Sequence, residues 1–147
     1  MLSWLFSKPL PTGAAAPDFS LPDQNGALVH LADLGGHNVV LIFYPGDDTT
    51  VCRRQLCEFR DSWSAAQSHN VLVFGVNPQN SASHEKFHAR YAFPFPLLVD
   101  RGQKVAALYR ASGVIVRRTV YLIGPGGEIR YAKRGKPAVG DVLSAAK

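Results

Sequence analysis

No segment of this chain is long and apolar enough to span a membrane. The longest stretch free of Asp, Glu, Lys and Arg, Ser62 to His84, is broken by Gln, His, Asn, Ser and Pro. The opening Met1–Phe6 is apolar, but Lys8, Pro9 and Pro11 cut it short of the hydrophobic core of a secretory signal. It reads as a tail packed on the domain or on a partner rather than as an anchor, and the expected location is cytoplasmic. Cysteine is scarce, with 2 in 147 residues, which excludes a disulfide scaffold. Acidic residues are thin toward the end: from Arg110 to Lys147, eight of the 16 basic residues face only Glu128 and Asp141. That excess favours anionic partners. Nucleic acid is excluded as the expectation, because neither a zinc finger nor an RNA-recognition signature is present. Serine triads, paired carboxylates, P-loops and dinucleotide fingerprints are missing too.

What remains is ordinary globular material, 46% hydrophobic and 18% charged, sufficient for one domain. Turn signals at Leu21–Gly26 and Gly124–Gly127 predict two hairpins, pairing Asp18–Leu21 with Ala27–Leu31 and Thr119–Ile123 with Glu128–Ala132. Asn38–Tyr44 is a continuous apolar, β-branched and aromatic run, as in a strand covered on both faces. It stops at Pro45-Gly46. Capping residues Asp47–Thr50 then precede Val51–Gln67, which is free of Gly and Pro and spaces Leu56, Phe59, Trp63 and Ala66 at helical intervals. A strand at Val71–Val76, a helix around Ala82–Tyr91, an apolar segment at Phe95–Asp100 and helices near Gln103–Tyr109 and after Pro137 complete an α/β chain.

Both cysteines, Cys52 and Cys57, fall in the first two turns of the helix after the central strand. A thiol there feels the positive end of the helix dipole, and Arg53 and Arg54 add charge, so a thiolate is favoured. The competing reading makes both of them small buried hydrophobes.

The surrounding residues decide between these readings. Phe43-Tyr44-Pro45-Gly46-Asp47-Asp48-Thr49-Thr50-Val51-Cys52 resembles the active-site segment of peroxiredoxins, whose pattern is Pro, three residues, Thr, two residues, Cys. Cys57, Glu58, Phe59, Arg60 and Asp61 narrow the resemblance to the Q, or bacterioferritin-comigratory, branch. Ala16-Pro17-Asp18-Phe19, Leu21, Asp23, Gly26, Leu31 and Gly36 are similar to the family's entry hairpin, and Arg118 with Tyr121-Leu122-Ile123 to its late strand. The likeness covers roughly Gly13 to Lys133. Arg53, where Thr is common, and Gly124, often Asp, depart from the pattern without removing a required group.

The resemblance implies a thioredoxin-like α/β fold, with a central mixed sheet flanked by helices and an N-terminal hairpin. Residues 1–12 form an extension and 13–147 the domain. It implies a monomeric thiol peroxidase of hydrogen peroxide and organic hydroperoxides, requiring no cofactor or metal and re-reduced by thioredoxin or a similar dithiol. Cys52 would be the nucleophile, Cys57 its resolving partner in an intramolecular disulfide, and Pro45 a shield for the thiolate. Thr49 and Arg118 would donate to the peroxide. Arg118 is preferred to Arg117 because it shares strand parity with Val120 and Leu122.

Ionisation alone does not make such a site fast. Lowering a thiol's pKa from about 8.5 to about 6 raises its thiolate fraction at pH 7 about thirtyfold. With a Brønsted coefficient of about 0.4–0.5, intrinsic nucleophilicity falls about tenfold in return. Donors aimed at the developing charge must supply the rest. The Cys52–Cys57 pairing has its own geometric demand. On an intact helix their Cα atoms stand about 8.6 Å apart, beyond the reach of a disulfide, so the helix has to unwind.

Two alternatives remain. A disulfide oxidoreductase of the same fold ordinarily carries Cys-x-x-Cys, whereas here four residues intervene. A metal-binding module would add His84 and His88 to the cysteines, but that spacing is unlike a zinc finger, and the two histidines read as a solvated helix face. The basic C-terminal residues serve either to dock the reductant or only to confer solubility.

Overall fold

The computed structural model describes residues 8–146, and the apolar tail Met1–Phe6 lies outside them. The chain begins with a small hairpin, β1 (Ser20–Pro22) and β2 (Leu28–His30), with Ser20 opposite His30. A five-stranded sheet follows, built from β3 (Asn38–Phe43), β4 (Val71–Asn77), β5 (Leu97–Val99), β6 (Thr119–Ile123) and β7 (Ile129–Arg134). The spatial order is β5-β4-β3-β6-β7, parallel on one side of β3 and antiparallel on the other. Between the strands run α1 (Thr50–Asp61), α2 (Trp63–Ser68), α3 (Ser81–Tyr91) and α4 (Lys104–Leu108), with α5 (Val139–Leu143) at the end. This is the mixed sheet with flanking helices and an N-terminal hairpin that the sequence led us to expect.

The central strand is apolar throughout because it is covered twice. Val40, Ile42 and Tyr44 enter one core with Leu56 and Phe59 of α1, while Val39, Leu41 and Phe43 enter the other with Tyr109 and Tyr121. The alternation is the period-2 geometry of a strand. It repeats on β6, where Val120 and Leu122 face the α1 side. Any residue sharing their parity points at α1. Close seating of that helix depends on Gly75 of β4, since a Cβ there would come within 2.8 Å of Leu97, 3.0 Å of Tyr44 and 3.2 Å of Leu56.

One boundary differs from expectation. Val51–Gln67 is not a single helix: Ser62, at φ −100° and ψ 17°, ends α1, and its N–H donates to the Glu58 carbonyl at 3.1 Å. The break turns Trp63 onto Phe95, with ring centroids 6.1 Å apart, and that packing outweighs the uninterrupted helical pattern.

Candidate active site

The ladder of β3 reaches its last rung at Tyr44, whose N–H donates to the Val76 carbonyl at 3.2 Å. Pro45 follows with no N–H to extend it, and the chain leaves the sheet. Asp48 adopts a left-handed conformation, φ 58°, which aspartate tolerates better than most residues. Thr49 then takes the N-cap position in an extended conformation. Its hydroxyl leans toward the Gly46 carbonyl at 3.5 Å and makes no capping bond.

The first intrahelical bond of α1 runs from Arg53 N–H to the Thr49 carbonyl at 2.8 Å. The amides of Thr50, Val51 and Cys52 therefore belong to the helix's unsatisfied end, where negative charge is favoured. Cys52 sits in this first turn, and its side chain is fully buried. Arg118 comes to it from just before β6, on the α1-facing parity, and places Nη2 3.2 Å from Cys52 Sγ. Arg117, by contrast, turns its guanidinium to the Ser112 and Arg110 carbonyls.

A residue that the sequence reading passed over completes this group. Gln55, buried on the same face of α1 one turn beyond Cys52, accepts a 2.8 Å bond from Arg118 Nη1 through Oε1. Its Nε2 lies 3.5 Å from the Gly135 carbonyl. Arg118 is thus held by one arm while the other meets the sulfur. The i, i+3 relation to Cys52 was the available signal.

Cys57 lies on the same unbroken helix, half-buried, and both thiols are free. Burial pushes its thiol above the ordinary range, and the positive charges of Arg60 and Arg53 only partly oppose this. The structure brings Arg118 onto Cys52, with Thr49 at the N-cap of the same helix, Pro45 in the loop that leads into it and Cys57 a turn and a half further along α1.

Beneath the loop lies a buried polar network that the sequence did not disclose. The Asp47 carboxylate accepts from Tyr44 Oη at 2.7 Å, Asn77 Nδ2 at 3.0 Å, Ser83 Oγ at 2.7 Å and His84 Nδ1 at 2.7 Å. The other His84 nitrogen donates to the Leu98 carbonyl at 2.8 Å. His84 is fully buried, not on a solvated face, and His88 is half-buried against Phe93. Their helical spacing hid this, because a histidine paired below a loop and one in water leave the same pattern. Both His84 nitrogens are engaged, and among the described residues no group of three or more His, Cys, Asp or Glu is placed to hold a metal. Burial raises the Asp47 pKa, but the hydrogen bond and charge of His84, with Tyr44 and Ser83, more than reverse this and hold it below the ordinary carboxylate value.

Known proteins resemble this chain in both sequence and fold. The sequence model of the AhpC/TSA family matches residues 12–132. The chloroplastic peroxiredoxin Q of Oryza sativa subsp. japonica is 37% identical over 123 residues, 81% of this chain and 57% of that protein. This chain therefore spans little more than half the length of such plant relatives. A Coxiella burnetii protein that carries the name peroxiredoxin bcp is 37% identical over 129 residues, 80% of this chain and 83% of its own length. Among solved structures, peroxidoxin BcpB of Mycobacterium tuberculosis superposes with a TM-score of 0.87 at 27% identity, covering 92% of this chain and 96% of that one. A family model that matches most of the sequence, relatives of the Q type on both sides and a shared thioredoxin-like architecture lead to one assignment: the chain belongs to the AhpC/TSA family, in its peroxiredoxin Q branch.

Proposed function

We propose that this chain is a thiol-dependent peroxidase acting on hydrogen peroxide and organic hydroperoxides. The observation that carries the reading is the 3.2 Å approach of Arg118 Nη2 to Cys52 Sγ at a helix N-terminus. The Cys52 thiolate attacks one peroxide oxygen and the O–O bond breaks. Cys52 becomes a sulfenic acid, and the other oxygen leaves as alkoxide or hydroxide and takes a proton. The Arg118 guanidinium, the Thr49 hydroxyl and the first-turn amides are the donors available as charge moves onto the leaving oxygen. Pro45, half-buried beside the helix start, limits water there.

Cys57 then attacks the sulfenic sulfur, forming the disulfide and releasing water. An external dithiol such as thioredoxin returns both thiols to the reduced state, and the basic residues from Arg110 onward suit an acidic docking partner. We place the protein in the cytoplasm as a monomer, with residues 13–147 as the domain. The alkyl peroxide reduction activity of the bacterioferritin comigratory protein of Xanthomonas campestris, 25% identical to this chain, supports the substrate class.

Stopped-flow oxidation of wild type, Cys52→Ser and Cys57→Ser, with mass spectrometry of the products, tests the scheme. Cys52→Ser should not react, and Cys57→Ser should accumulate sulfenic acid. Insulin reduction without peroxide consumption would point to a disulfide oxidoreductase instead.

A further inference from the structure

Cys52 lies between two points that are fastened to the same side chain. Four residues before it, Asp48 accepts from Tyr91 Oη at 2.8 Å. One residue after it, Arg53 Nη1 donates to the same hydroxyl at 3.5 Å and lies 3.9 Å from the Asp48 carboxylate. Beyond Cys57, Arg60 Nη1 donates to the Tyr91 backbone carbonyl at 2.8 Å. Arg90 reinforces the corner through a 2.6 Å bond to Asp48 and by stacking over the Tyr91 ring at 5.3 Å. Tyr91 itself is well anchored. It ends α3, and its ring meets Phe87 at 5.6 Å and Phe93 at 5.9 Å between centroids.

None of these groups touches the sulfur or donates to the proposed peroxide position, yet together they fasten the interval Cys52–Cys57 at its entrance and just past its exit. That interval has to unwind before the two sulfurs can join. We propose that Tyr91 is a positioning residue for the resolving step. Its contacts hold α1 wound and so set how the Cys52 sulfenic acid divides between disulfide and overoxidation. The inference rests on the peroxidase reading above. In one branch, Cys52–SOH and Cys57–SH give the disulfide and water. In the other, a second peroxide molecule oxidises Cys52–SOH to the sulfinic acid and is itself reduced to an alcohol or water. A restraint on unwinding slows only the first branch. The burial of Cys57 works in the same direction, since unwinding also hydrates that thiol.

Tyr91→Phe removes the hydroxyl and keeps the ring contacts. Quenched-flow samples analysed by intact mass give three quantities: the rate of sulfenic acid formation, the rate of its conversion to disulfide, and the peroxide concentration at which half the protein becomes sulfinic acid. The first should stay within about twofold of wild type. The second should rise about three- to tenfold, because the wound state loses the hydroxyl's bond to Asp48 and its long bond from Arg53 while Arg90 still holds Asp48, and the half-point should rise by the same factor. Amide exchange in the reduced variant should quicken across residues 51–58 and not in the sheet. Disulfide formation at the wild-type rate, or slower, would overturn the proposal, as would a fall in all rates together with a general loss of protection. Wild type that forms no sulfenic acid would instead defeat the peroxidase reading itself.

Discussion

Replacing Arg118 separates two ways of making a cysteine react with peroxide. In Arg118→Met the side chain still fills the space beside Gln55, but Cys52 loses the guanidinium now 3.2 Å from its sulfur. If the arginine served only to ionise the thiol, the penalty would be small, because ionisation and intrinsic nucleophilicity offset one another to within a few-fold. If it stabilises charge on the departing oxygen, the loss is that of a charge-assisted hydrogen bond, about 1.5–3 kcal/mol, or roughly ten- to 150-fold in rate. Removal of an oxyanion-type donor places it near the upper end, about a hundredfold or more. Arg118→Lys should fall between, because one ammonium does not reach both the sulfur and Gln55 Oε1 as the two guanidinium arms do. The assay is the second-order rate of oxidation by stopped flow. The thiolate fraction of each variant is read from its ultraviolet absorbance, so that ionisation is divided out. After that correction, an Arg118→Met rate within threefold of wild type would refute transition-state stabilisation by this residue.

Three further outcomes are expected. Gln55→Leu, which leaves Arg118 Nη1 without its acceptor, should slow oxidation about three- to tenfold while the Gln55→Glu variant retains most of the rate, measured by the same stopped-flow assay. Hydrogen exchange should show faster amide exchange across Val51–Glu58 in the oxidised protein than in the reduced one, and unchanged protection there would contradict the unwinding step. Asp47 is held below its ordinary value, so it contributes stability that is present above about pH 3.9 and lost as pH falls through its depressed folded value. Denaturant titrations from pH 5 downward should therefore show a steep acid limb in wild type and a flatter one in Asp47→Asn.

Much of this architecture was legible before any coordinates. Asn38–Tyr44 announced a doubly covered strand because no polar side chain interrupts it, and the alternation along β6 placed Arg118 on the face that α1 occupies. The spacing of Pro45, Thr49 and Cys52 is local and survives in the linear text. What stayed hidden depends on contacts across the chain. His84 looks like any helical polar residue until Asp47, 37 positions earlier, is folded onto it. Tyr91 joins Asp48 from 43 positions away, and no periodicity in either segment marks the pairing. Gln55 is the exception, since it was readable from its turn of helix and was missed because glutamine carries no charge to draw attention. The division of Val51–Gln67 at Ser62 was equally unmarked, as it follows from where Trp63 finds its partner.

The guanidinium at the Cys52 sulfur arrives from 66 residues further along the chain, carried in by the antiparallel strand β6, which follows β3, β4 and β5 in sequence. During synthesis, an emerging amino-terminal half carries the Cys52 thiol without Arg118. On the peroxidase reading proposed above, the chemistry waits for β6 to dock, so the nascent polypeptide carries an ordinary slow thiol, and reactivity toward oxidants reports that Arg118 has reached Cys52.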